Sequence, residues 1–263
     1  GSNGVEIVMF DGATGKAFTV NGDQRSLDIV NLDGLQSGTS VTELTYEKRV
    51  LIRSLGIPGF DDVTSIAVHP TADVVAVAVL APKGQNGYVA FFDKNGEYQK
   101  HVEVGYHPDM ITFTPDQSKL LVANEGEPAD DYSIDPLGSV TIIDMSGGLS
   151  AVDQSKVNDV TFEAVTRSQI DDNVRIFPFK DGVYQKSSDQ PGGNHWAADF
   201  EPEYITVDKQ SKYAYVGLQE NNAIAKLDLV TGQFVHVYGL GYKDHLKPGN
   251  GLDASDREIS SSK

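Results

Sequence analysis

The chain has no cysteine, one tryptophan and three methionines in 263 residues. The lack of thiols excludes disulfides, thiolate zinc sites and cysteine nucleophiles. It fits a cytosolic protein or a disulfide-free exported bacterial protein, and argues against a disulfide-stapled animal ectodomain. No stretch approaches the roughly 20 apolar residues of a helical membrane span. No Asn-x-Ser/Thr glycosylation site occurs. Positive charge is scarce: 21 Lys and Arg stand against 38 Asp and Glu, for a net charge of -17. A field of that sign repels phosphate backbones and anionic lipid, so nucleic acid and membrane surfaces are poor partners. Metal cations or a cationic surface are better ones, although acidity also serves plain solubility. No secretory leader is visible, and the opening Gly-Ser-Asn-Gly reads as a scar or a trimmed end, compatible with an upstream signal already removed.

What is present is a globular composition, with 39% hydrophobic and 22% charged residues. That suffices for one large all-β domain or two ordinary domains. The text repeats. "DMITFTPDQSKLLVANE" (109–125) sets beside "EYITVDKQSKYAYVGLQ" (203–219), "TSIAVHPTADVVAVAVL" (64–80) and "EIVMFDGATGKAFTVN" (6–21). Each copy is followed by a third strand: "SLDIVNL" (26–32), "GYVAFFD" (87–93), "GSVTIID" (138–144) and "NAIAKLD" (222–228). A fourth follows at 48–54, 98–104 and 233–239, with 162–166 expected in the third copy. The alternation has a period of two, and the turns use Gly, Asp, Asn and Pro-Asp. Val68 and Phe113, equivalent positions, are 45 residues apart. A four-strand unit at that spacing is the mark of a β-propeller blade. A β-sandwich is the competing all-β fold, but the turn chemistry repeats together with the apolar pattern. The sequence therefore predicts an all-β propeller of four-stranded antiparallel blades, about four in this chain, near 5–55, 63–105, 109–175 and 203–242. An insertion falls at 146–200, and a loop at 243–263 leads towards blades this chain does not contain.

The segments "PDMITFTPDQSKLLVANEGEPADDYSIDPLGSVTIIDMS", "DFEPEYITVD", "LQENNAIAKLDL" and Lys247 to Arg257 resemble the bacterial choice-of-anchor I propeller proteins. These are similar to mesenchyme-specific cell-surface glycoproteins linked to biomineralisation. The resemblance implies a secreted or surface-attached propeller of about seven blades, with the remaining blades in a second chain or missing. It implies calcium as the ion. Phytase-like or alkaline-phosphatase-like activity is attached to such proteins by analogy.

In a propeller the first strand of each blade lines the channel. Residues at its start, and in the loop after the second strand, share one face of the molecule. Asp109 and Glu203 take the first position, as do Glu6 and, just ahead of the second blade, Asp61 and Asp62. Glu125, Glu127 and Glu220 take the second, with Asn221 beside the last. Glu201 and Glu203 flank Pro202, so both can point the same way along a strand. Carboxylates gathered on one axis repel unless protons, lysines or a cation supply counter-charge. Calcium accepts six to eight oxygen ligands with tolerant geometry, whereas structural zinc prefers the Cys and His that are lacking here. Asp109, Glu125, Glu127, Glu201, Glu203 and Glu220 are the candidate calcium ligands. A second ion on residues 124–136, with Asp130, Asp131 and Asp135, is a weaker candidate, and His107 could contribute beside Asp109. Trp196 is either a lid residue or packing. "DGATGK" (11–16) and "DKNGE" (93–97) read as hairpin turns. No G-x-S-x-G elbow is present. Three functions follow: a calcium-binding extracellular or surface interaction module, a metal-dependent phosphoesterase with a carboxylate-bound calcium cluster, or a metal-free peptide-binding scaffold.

Overall fold

The structure, a computed structural model, describes residues 4–32, 35, 45–129, 133–176, 179–180, 183–184 and 196–251. Four antiparallel sheets follow one another, each with its four strands in sequence order. Blade 1 comprises β1 (Val5–Asp11), β2 (Lys16–Asn21), β3 (Ser26–Asn31) and β4 (Thr45–Leu51). Blade 2 comprises β5 (Val63–Val68), β6 (Val75–Val79), β7 (Asn86–Phe92) and β8 (Tyr98–Tyr106). Blade 3 has β9 (Pro108–Phe113), β10 (Lys119–Asn124), β11 (Ser139–Asp144) and β12 (Val157–Thr161). A two-residue hairpin, β13 (Phe179–Lys180) with β14 (Val183–Tyr184), and a four-residue helix, α1 (Trp196–Asp199), precede blade 4. Blade 4 has β15 (Pro202–Val207), β16 (Tyr213–Leu218), β17 (Ala223–Asp228) and β18 (Gln233–Gly239). The all-β, propeller-type arrangement expected from the repeat is what forms.

One strand lies elsewhere than expected. The fourth strand of blade 3 is Val157–Thr161, and the expected segment at 162–166 begins instead with a 3-10 turn, Phe162–Ala164. Phe162 turns inward there and stacks on Phe234 of blade 4 at a ring separation of 3.9 Å. The loop text at 186–199 falls outside the described residues up to 195.

Each inner blade is buried on both faces, which explains near-continuous apolar strands such as Val75-Ala-Val-Ala-Val79. Val75, Val77 and Val79 join Phe18, Leu27 and Ile29 of blade 1 in one core. Ala76 and Ala78, on the opposite face, join Leu120, Val122 and Ile143 of blade 3 in a second. Leu121 and Ala123 point the other way, into a third core with Ala214, Val216 and Leu227 of blade 4. The first strands of neighbouring blades also touch: Thr64 Oγ1 donates to Pro108 O at 2.6 Å.

At one end of the molecule the turns joining first to second and third to fourth strands bind blade to blade. Lys94 Nζ lies 3.1 Å from Asp11 Oδ2, with both side chains buried. Thr71 Oγ1 donates to Gln117 Oε1 at 2.5 Å, and Asp116 N donates to Ser211 Oγ at 3.0 Å. Removing one partner of a buried pair strands the other charge, at a cost of about 3 kcal/mol. Urea unfolding of Asp11→Ala is therefore expected to show a loss of about that size. The double variant Asp11→Ala, Lys94→Met is expected to regain most of it.

Candidate functional site

The opposite end gathers the carboxylates. Strand β10 leaves the sheet at Asn124, paired with Pro108, and runs into Glu125-Gly126-Glu127-Pro128. Glu125 N donates to His107 O at 2.9 Å and Gly126 N to Tyr106 O at 3.2 Å, so the loop is laid along the start of β9. Two glycines permit the next approach. Gly126 has φ +74, and a Cβ there would stand 2.6 Å from Gly138 N. A Cβ on Gly138 would stand 2.0 Å from Phe200 O. Backbone thus meets backbone at the junction of blades 3 and 4, and Glu125 and Glu127 come to face Glu201 and Glu203. Glu220 lies in the turn between β16 and β17, closed by Asn222 N donating to Gln219 O at 2.9 Å.

The structure brings all six candidate residues into one electrostatic group. Burial raises the Glu125 pKa from 4.5 to about 8, helped by Asp109, Glu127, Glu201 and Glu203. Burial likewise lifts Glu201 to about 7, with Glu220, Asp199, Glu127 and Asp135 adding repulsion. Glu203 is raised by burial, then by Asp109 and Glu220. Each of these carboxyls favours its protonated form more than a free carboxyl does, because like charges and lost water both oppose ionisation. Yet no three His, Asp or Glu side chains among the described residues converge on one point as a metal would require.

Three members lie outside the expected ligand set. His107 sits in the left-handed region at φ +54, with Nδ1 3.1 Å from Glu127 Oε2 and 3.7 Å from Glu125 Oε2. Burial pushes its pKa down, Glu127 and Asp109 oppose this, and Lys83 reinforces it. A strained non-glycine backbone beside such a group is what functional sites show. Asp199, at the end of α1, accepts from Asn221 Nδ2 at 3.0 Å. Asp135 joins through Glu201. In "DFEPE" the alternate spacing of acids suits Glu201 and Glu203 on an extended segment, whereas Asp199 closes the helical turn Trp196–Asp199.

Other candidates separate from the cluster. Asp61 pairs with Arg25 at 3.7 Å, and Asp62 accepts from Val63 N. Asp130 and Asp131, and the side chain of Glu6, fall outside the described residues. Trp196 is packing: it is buried in the core between blades 3 and 4, and its Nε1 donates to Val165 O at 3.1 Å. The first strands wall a groove of 410 Å³ whose lining includes Ile7, Met9, Ile66, Met110, Phe113, Tyr204 and Asp109.

The family model for the choice-of-anchor I domain matches residues 6–262. The chain belongs to that family. Membership places this choice-of-anchor I chain among cell-surface or secreted propellers. No helix among the described residues is long and apolar enough to cross a membrane. No curated protein matches the sequence. Among solved structures, the β-propeller domain of Myceliophteria thermophila Cps50 (Swd1) is 10% identical, with a TM-score of 0.52 over 92% of this chain and 57% of that one. A protein of unknown function from Desulfotomaculum acetoxidans is 10% identical, with a TM-score of 0.51 over 90% of this chain and 56% of that one. These likenesses show the propeller fold alone. The choice-of-anchor I chain spans less than three fifths of the length of either structure.

The raised carboxyls set a pH dependence. A carboxyl whose folded pKa exceeds its unfolded value binds more protons when folded, so stability is greatest below 4.5 and is lost as pH rises towards about 8. His107, with its pKa lowered, contributes the opposite slope below pH 6.5. In EDTA, the thermal midpoint is expected to fall between neutral pH and pH 8, and Glu125→Gln is expected to flatten that fall.

Proposed function

We propose that this choice-of-anchor I chain is a calcium-binding module of an extracellular or cell-surface propeller, and that its bound cation serves contact with a surface or matrix. The observation that carries the reading is the half-buried carboxylate group around Glu125. Asp109, Glu127, Glu201 and Glu203 add their repulsion to burial in raising the Glu125 pKa, and a basic side chain within reach, Lys83, acts on His107. A divalent cation supplies the missing charge, and its affinity for oxygen suits Asp109, Glu125, Glu127, Glu201, Glu203 and Glu220. Two further oxygens support the fit. Asn124 Oδ1 and Asn221 Oδ1 are buried without a hydrogen-bond partner among the described residues. Each belongs to the residue next to a candidate ligand, Glu125 or Glu220. Calcium provides a charge centre on which carboxylates ionise together. The protein's part is to hold the two loops in apposition through Gly126 and Gly138, and to keep the group half-buried. Loading requires the carboxylates to turn inward, since they do not converge as placed.

Calcium is expected to raise the thermal midpoint over that in EDTA, following RT ln(1 + [L]/Kd), with a smaller rise in Glu203→Gln. Binding is also expected to release protons at neutral pH, because Glu125 and Glu201 must ionise. Calorimetry in buffers of different ionisation enthalpy reads that release directly. An unchanged midpoint together with no heat would leave a metal-free peptide-binding scaffold. Turnover of p-nitrophenyl phosphate or phytate in calcium would replace the module with a phosphoesterase.

A further inference from the structure

The turns between first and second strands use one device in all four blades. Asp11 pairs with Lys16 where the turn of blade 1 closes. At the same register position the N–H groups of His69, Thr114 and Asp208 donate to the carbonyls of Val74, Lys119 and Tyr213. The side chain at this position accepts hydrogen bonds from within its own turn. Asp11 Oδ2 accepts from Thr14 Oγ1 at 2.7 Å. Thr114 Oγ1 accepts from Lys119 N at 3.1 Å, and Asp208 Oδ1 from Lys212 N at 2.7 Å. In blade 2 the acceptor is an imidazole. His69 Nδ1 accepts from Ala72 N at 2.8 Å and from Thr71 N at 3.2 Å. The other blades use oxygen, whereas blade 2 uses a nitrogen that takes up a proton in mild acid.

That difference fixes the charge of the ring. Both donors are backbone N–H groups, so Nδ1 carries no proton and the hydrogen of the neutral ring lies on Nε2. An imidazolium carries a hydrogen on each nitrogen and accepts nothing. A protonated Nδ1 would face the two N–H groups it now binds, so ring or turn must move. The surroundings oppose the proton as well. His69 is 8% exposed, and its ring meets that of Phe113, from blade 3, edge-on at a separation of 4.9 Å. Burial lowers its pKa below 6.5, and the Lys94 ammonium, from the turn between β7 and β8, lowers it further. The acids at this place are engaged with that lysine. Asp11 of blade 1 pairs with Lys94 Nζ, and Asp73, in the His69 turn itself, accepts from Lys94 N at 2.6 Å.

The same turn connects blade 2 to both its neighbours. Thr71 Oγ1 ties it to Gln117 of blade 3. Asp73 holds the backbone of Lys94, whose ammonium reaches Asp11 of blade 1. We propose that the His69 turn is an acid-sensitive latch: protonation of the imidazole opens residues 69–74 and loosens blade 2 from the turns of blades 1 and 3. The closed turn binds fewer protons than the opened one. The latch therefore holds fully above pH 6.5 and weakens as pH falls through that value towards the lowered one. This slope is opposite in sign to that of Glu125 and arises at the other end of the molecule. The latch needs no calcium and is tested in EDTA, so it and the metal reading fail separately.

Hydrogen exchange at the N–H groups of Thr71 and Ala72, corrected for the intrinsic rate at each pH, reads the latch locally. It separates the latch from His107, whose slope has the same sign. Opening is expected to become more frequent by up to about tenfold from pH 7 to pH 5.5. Lys212 N–H, in the equivalent turn of blade 4, is expected to keep its protection. His69→Asn places an amide oxygen near the position of Nδ1 and does not titrate, so its turn is expected to stay closed over the same range. Long-range proton–nitrogen spectra of the wild type are expected to show the ring proton on Nε2 at neutral pH and a His69 midpoint below 6.5. An acid response of equal size in His69→Asn overturns the proposal. So does a proton on Nδ1 at neutral pH, or an Ala72 N–H equally protected at both pH values. The last two are read on the wild type, so they decide the matter even where the variant fails to fold.

Discussion

A blade in this fold has two apolar faces and cannot bury both alone. Everything else depends on that constraint. Strand β10 divides its side chains evenly, with Leu120 and Val122 packed towards blade 2 and Leu121 and Ala123 towards blade 4. Each blade is therefore stabilised by its neighbours more than by itself, as in other repeat architectures. The polar contacts at the turns, such as Lys94 with Asp11, add direction to this cohesion. They fix how one sheet is rotated on the next, which apolar packing alone specifies loosely.

The same constraint accounts for the carboxylates. A group of acids at one junction is electrostatically unfavourable, and Glu125 and Glu201 show it by holding protons into the neutral range. The apolar core beneath them, with Phe162, Phe200 and Leu218 fully buried, pulls blades 3 and 4 together regardless. Packing offsets repulsion, and the unfavourable arrangement persists as a site poised to take up positive charge. Proton and cation compete there for the same oxygens.

The blade strands were legible because strands buried on both faces are almost wholly apolar, and the turns between them reuse the same residues. The six carboxylates were legible for a simpler reason. In an antiparallel pair the end of the second strand lies beside the start of the first, so Asn124 meets Pro108 and their neighbours share one end. What escaped lacks such a period. Strand β12 exposes Asn158 and Asp159 and buries only Val160, so it carries no alternation to read. Asp199 lies on a single helical turn, and His107 was undervalued because its left-handed backbone cannot be inferred from residue type.

The placement of the single tryptophan has a practical consequence. Trp196 is buried against the core shared by blades 3 and 4, hydrogen-bonded to Val165, and one residue triplet from Asp199. Its emission therefore samples one junction of the molecule and is blind to the others. The chain carries a built-in optical reporter for the junction that holds the acids, separable from global unfolding observed through the peptide bond.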